Sequence, residues 1–189
     1  DLTTAPLIFD NETKMLQNEF RSVGEKHSFK GNFGHTRKYK SSLLNKNKNI
    51  SYLFSNLEYD LDFSNFNTSK FYFNIEKVTD DTFLKIFDTN LIDETTSLKP
   101  QNKDSLTSEL KLTLDTEDFN LTTGLQSFEN LQLSNNDRYQ YILPYYNFNT
   151  TLFPDLYNVS MRFSSSGSNN LNNTNQLKSQ IINDLDYSS

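Results

Sequence analysis

The sequence predicts an all-β protein: an antiparallel meander of nine or ten strands. Three observations lead there. Apolar and polar residues alternate with a period of two through most of the chain. Aromatic residues are abundant at 14%, while the total hydrophobic content is only 34% and mean hydropathy is −0.70. That combination suits strands with one apolar face rather than a core apolar on all sides. Finally, polar connectors separate the alternating runs.

Taken in order, LTTAPLIF (residues 2–9) and KMLQNEFRSV (residues 14–23) are the first two predicted strands, joined by the turn DNET, Asp10 to Thr13. HTRKYK, His35 to Lys40, is a basic cluster read as part of a polar loop, and a long connector is read over Arg37 to Asn49. In NLEYDLDF, Leu57, Tyr59, Leu61 and Phe63 face one way and Glu58, Asp60 and Asp62 the other. NFNTS, Asn65 to Ser69, turns the chain into KFYFNIEKV, residues 70–78. A long connector, Asp88 to Asp104, precedes ELKLTLD, where Leu110, Leu112 and Leu114 share a face. DTED, Asp115 to Asp118, suits a hairpin turn into DFNLTTGLQSF, followed by RYQYILPYYNF and YNVSMRF. Ser164 to Asn175 reads as a third long connector, and QIINDLDYS as the last strand. LKSQIINDL, within residues 177–185, fits an amphipathic helix as well as a strand.

Each run approaches the ~9–11 residues of a membrane-crossing strand. Short connectors at one end and long ones at the other are the habit of outer-membrane barrels. Period-2 patterning also describes a soluble sandwich, with the polar face in solvent instead of a lumen, and the pattern alone leaves both open. No run of 18 apolar residues exists, so no transmembrane helix is predicted, and DLTTAPLIFD lacks the form of a signal peptide.

A net charge of −6 and a pI near 4.9 argue against a nucleic-acid partner. Without Cys, disulfides and thiolate metal sites are excluded from this chain. Asp80 and Asp81 are the first suspects for paired-carboxylate chemistry. As neighbours on an extended strand they would point to opposite faces, and in a turn Asp serves the turn. Glu58, Asp60 and Asp62 read as a wetted strand face. Only His27 and His35 offer a general base, and no G-x-S-x-G elbow or phosphate-cradling glycine loop accompanies them. No catalytic residue, cofactor or metal ligand is assigned, and the expectation is a non-enzyme. Pro6 and Pro144 lie inside strand-like runs, where a missing N–H removes a ladder bond; Pro6 therefore suits an edge or a weak seam, or equally a plain strand entrance.

DLTTAPLIFDNETKMLQNEFRSV, FNIEKVTDDTFLKIFD and YQYILPYYNF, in that order and spacing, resemble the barrel of the lipopolysaccharide-assembly protein LptD family. The matching positions are Asp1, Thr3 and Pro6, then Leu16 to Arg21, then Val78 to Leu84, and Tyr139, Gln140 and Pro144. Positions where the family carries Trp hold other residues here. The resemblance implies that residues 1–189 are the N-terminal part of a large transmembrane outer-membrane β-barrel, without the preceding jelly roll or the closing strands. It further implies location in the cell outer membrane and contact with membrane lipid. The implied partners are lipopolysaccharide, an LptE-like lipoprotein, and a periplasmic bridge protein that delivers lipopolysaccharide through the jelly roll. Pro6 falls at the first-strand position of a lateral seam that opens for lipid. Alternatives are a soluble β-sandwich that binds glycans, or another outer-membrane barrel such as a porin or receptor.

Overall fold

A computed structural model describes residues 1–8, 14–40, 47–87, 98–156, 159–173 and 175–188. Ten strands form one sheet in strict sequence order: β1 (Leu2–Ile8), β2 (Lys14–Val23), β3 (His27–Lys40), β4 (Asn47–Asp60), β5 (Thr68–Val78), β6 (Ser105–Asp115), β7 (Phe119–Asn130), β8 (Tyr139–Leu156), β9 (Val159–Asn172) and β10 (Gln176–Ser188). Each pairs antiparallel with the next. The sheet does not close among the described residues: β1 and β10 are its two edges. The all-β antiparallel meander is therefore as expected. The second sheet that a sandwich needs is not formed by the described strands.

The register explains why the sequence needs two unlike faces. One row across β3 to β7 reads Lys30, Asn56, Asn74, Glu109, Gln126. The adjacent row reads Phe29, Leu57, Phe73, Leu110, Leu125. A slip of one residue in any strand would set an apolar side chain into the polar row, so the register is strongly specified.

Several expectations are corrected. HTRKYK is not a loop: β3 runs through it to Lys40, and the Arg37 to Asn49 connector is strand at both ends. Residues 27–34 also belong to β3, although their alternation is diluted by Gly31 and Gly34. The third long connector does not exist as such, because Ser164 to Asn172 form β9 and only the short turn to Gln176 remains. SSSGSNN has no apolar face; its extended form is imposed by ladders to β8 on one side and β10 on the other. LKSQIINDL is strand, in β10. The DNET turn and residues 88–97 lie outside the described residues.

The one described α-helix is α1 (Phe83–Phe87), in the connector between β5 and β6. The Asp80 carboxylate accepts the Thr82 backbone N–H at 3.0 Å and its hydroxyl at 2.6 Å, a side-chain turn that starts the helix. α1 lies on the polar face of the sheet. There Phe83, Leu84 and Phe87 pack with Met15, Ile50, Tyr52, Phe54 and Val78, and with Leu98, Leu106 and Leu131. The Phe83 ring sits 4.9 Å from that of Tyr52 and 5.2 Å from that of Phe87. Most of the largest fully buried side chains thus lie in or under this connector; Leu106, on the face of Leu110, is the exception.

Backbone irregularities fall where the chain requires them. Pro144 lies in the register shift between Ile142 and Tyr145, so its missing N–H costs no regular ladder bond. Gly124 faces Tyr145 across β7–β8, and a Cβ there would stand 2.3 Å from the Leu110 carbonyl oxygen. Backbone cannot yield as a side chain does. Gly124→Ala is expected to destabilise the sheet by about 1–3 kcal/mol through overpacking. Chemical denaturation followed by tyrosine circular dichroism measures this; an unchanged midpoint would contradict it.

Candidate functional site

Three features stand out: the polar face, the apolar face and the open edge at β1. The polar face is chemically organised. Glu109 Oε1 accepts hydrogen bonds from Gln126 at 2.7 Å and from the Tyr145 hydroxyl at 2.9 Å. Lys111 lies 4.7 Å from the centre of the Tyr72 ring. These contacts tie β5, β6, β7 and β8 together through side chains that would each be costly to bury unpaired. At the end of β7 and on the other face, Glu129, opposite Leu106 and Tyr139, is shared by Lys77 at 2.6 Å and Arg138 at 2.6 Å.

The apolar face has no cover among the described residues. Leu110 is 37% exposed, Leu125 41% and Ile181 67%, while Gln17 on the polar face is fully buried. Exposed apolar area beside a buried polar side chain is the informative combination. Near the ends of the strands the apolar face carries aromatic rings. Phe63, Phe66, Phe119, Phe148 and Phe163 form a chain with successive centroids 6.4, 5.9, 5.4 and 6.0 Å apart. Tyr139 and Tyr141 stack at 6.2 Å where β8 begins, at the other end.

Pro6 lies on β1, opposite Leu16 of β2. The Asp1 amino group donates to the Arg21 carbonyl at 2.7 Å, and the Arg21 N–H donates to the Asp1 carbonyl at 2.9 Å. Antiparallel ladders alternate, so by count Thr3, Ala5 and Leu7 bond to β2. The backbone nitrogens of Leu2, Thr4, Pro6 and Ile8 then turn to the open edge. Pro6 costs the β1–β2 ladder nothing and removes one donor from the edge. β10, the other edge, has thirteen residues and no proline.

The remaining candidates make contacts within turns, strands and connectors. Asp80 pairs with Lys48 at 3.3 Å and Asp81 with Arg138 at 2.7 Å, so the adjacent carboxylates serve different partners. Together they tether the start of α1 to β4 and to the segment before β8. Asp60 accepts the Asp62 N–H at 3.0 Å, and Asp62 pairs with Lys26 at 2.7 Å across two turns. His27, at the start of β3, contacts Ser22 Oγ at 3.0 Å, and His35, in its interior, contacts Ser51 Oγ at 2.7 Å. Among the described residues no group of three His, Asp or Glu side chains is placed to hold a metal ion. Sequence reasoning missed the role of Phe83 and Phe87; their spacing of four residues on FLKIF was the available signal.

α1 is also held by Lys85, whose ammonium lies 2.6 Å from Asp104. The hydrogen bond from Lys85, then that from Gln132, holds the Asp104 carboxyl below its ordinary value. A depressed carboxyl contributes stability above its unfolded-state pKa and loses it as pH falls through the folded value. Hydrogen exchange at residues 83–87, corrected for its intrinsic rate, is therefore expected to quicken below about pH 4. Lys85→Met should already exchange faster at neutral pH and show a smaller acid response; the same acid response in both proteins would refute the link.

Comparison with protein-family models, with curated proteins and with solved structures gives no match.

Proposed function

We propose that this chain is part of an outer-membrane β-barrel that moves lipopolysaccharide to the outer leaflet, with its apolar face against lipid and its polar face toward a water-filled lumen. The observation that carries the membrane reading is the inversion of faces: Leu110 and Leu125 on the apolar face are exposed, while Gln17, Glu19 and Asn32 on the polar face are buried. The rings near both strand ends fit the aromatic girdles of such barrels. Strands of eleven residues span about 36 Å, enough to cross the ~25 Å apolar band at a tilt. No described helix is long and apolar enough to cross, which leaves crossing to the strands.

The narrower reading, transport of lipopolysaccharide with an LptE-like lipoprotein, rests on the resemblance of the three sequence stretches. It is supported by the edge at β1. A polar lumen would pass sugars and phosphates while acyl chains leave between β1 and a weakly bonded partner strand. The missing Pro6 donor makes that seam easier to part.

Two experiments address the two levels. Membrane fractions and heat-dependent gel mobility test the barrel; recovery of the protein in the soluble fraction, without a mobility shift, would end that reading. Pro6→Val restores a donor at the edge and is expected to tighten the seam. In cells carrying it as the only copy, lipopolysaccharide export should fall and antibiotic permeability rise; permeability at the wild-type level would count against the seam.

A further inference from the structure

A cleft of about 470 Å³ opens on the polar face between β4–β6 and the segment leading into β6. Lys30, Asn56, Glu58, Tyr72, Glu76 and Lys99 are among the residues that line it. We infer that this cleft is a saccharide-binding subsite for a neutral or zwitterionic sugar of one to three rings. Its size lies in the ~300–1,000 Å³ range of small-molecule sites, but those are mostly apolar and this one is polar. An acyl chain would strand those polar groups unpaired. The two lysines and two glutamates balance, so the cleft is not built to concentrate an anion such as phosphate.

What remains is a ligand dense in hydroxyl groups that both donate and accept. Asn56 stands beside Lys30 on β3 and Glu58 beside Tyr72 on β5. An amide, an ammonium, a carboxylate and a phenol thus alternate within two residues of β4. The far wall is rigid. The Thr107 N–H donates to Glu76 at 2.7 Å, the Asn74 amide donates to the Thr107 carbonyl at 2.9 Å, and Lys111 covers part of the Tyr72 ring. Preorganised polar walls lower the ordering cost that weakens sugar binding.

The inference rests on the translocon reading only for which glycan the cleft meets in the cell. Isothermal titration of the full chain in the sugar-free detergent lauryldimethylamine oxide, with maltotriose, chitotriose and inorganic phosphate as probes, tests it. At least one trisaccharide should bind, Lys30→Gln combined with Glu58→Gln should weaken it at least tenfold, and Asn147→Ala on β8 should leave it unchanged. Asn56→Ala, a milder change, should weaken it severalfold with the heat-dependent gel mobility preserved. Binding of phosphate in place of both sugars, no sugar binding, or equal binding by the cleft variants would overturn the assignment. Flotation with liposomes separates the two ideas. A protein that floats without binding sugar loses the cleft alone, and one that binds sugar without floating loses the translocon.

Discussion

Leu110→Arg will keep the protein out of the membrane, whereas Thr122→Arg will not. Leu110 lies at the middle of β6 in the row Phe29, Leu57, Phe73, Leu110, Leu125. If that row faces lipid, Arg there meets the bilayer near its midplane, at a cost of about 2–4 kcal/mol. Total stabilities of folded domains are about 5–15 kcal/mol, so this is a large fraction of what holds the sheet in place. Thr122 sits on the opposite face, across from Thr113 and Asn147. A side chain there enters a wet, polar environment. In a protein surrounded by water the ranking differs: Arg at a partly exposed Leu would be near neutral. Flotation of the two variants with liposomes distinguishes the cases, and equal flotation would contradict the lipid-facing assignment of the Leu110 row.

Phe83→Ala is expected to release α1 from the polar face. Phe83 is fully buried against Tyr52 and Phe87. Truncating a buried Phe costs about 3–5 kcal/mol by lost burial and the cavity left behind. A helix of five residues has no stability of its own to offset that loss. The tethers that remain are Asp80–Lys48, Asp81–Arg138 and Lys85–Asp104. Partly exposed pairs of this kind are weak and do not compensate. Proteolysis should cut first near residues 83–87 while the strands stay intact, with tyrosine signals from Tyr52 altered. Uniform loss of the whole sheet would mean that α1 is integral to the fold and not a docked connector.

The strands that declared themselves in the sequence are those whose apolar face is unbroken, such as Leu110, Leu112 and Leu114 of β6. β3 was hidden because Gly31, Gly34, His35 and Arg37 interrupt the alternation, and its extended form comes from ladders to β2 and β4. The end of β9 was hidden for the same reason, since serine and asparagine read locally as loop. Pairing with the strands on either side decides both cases, and a single strand's composition does not carry that information. Pro6 was legible as an edge residue. That its nitrogen points to the open side needed the register fixed by Asp1 and Arg21. The polar cleft was not legible, because its walls come from β3, β4, β5, β6 and a connector. Asp80 and Asp81 read in the sequence as a strand pair split between two faces or as turn residues; the structure shows a turn with two separate partners.

The central claim is that the apolar face meets lipid. The chain has no Cys, so a single cysteine introduced at each position of β6 from 106 to 114 gives a unique site for a nitroxide label. In lipid vesicles, labels at 110, 112 and 114 should relax with lipid-soluble oxygen, and labels at 109, 111 and 113 with a water-soluble nickel chelate, in strict alternation. Equal access of the nickel chelate to both sets would contradict it.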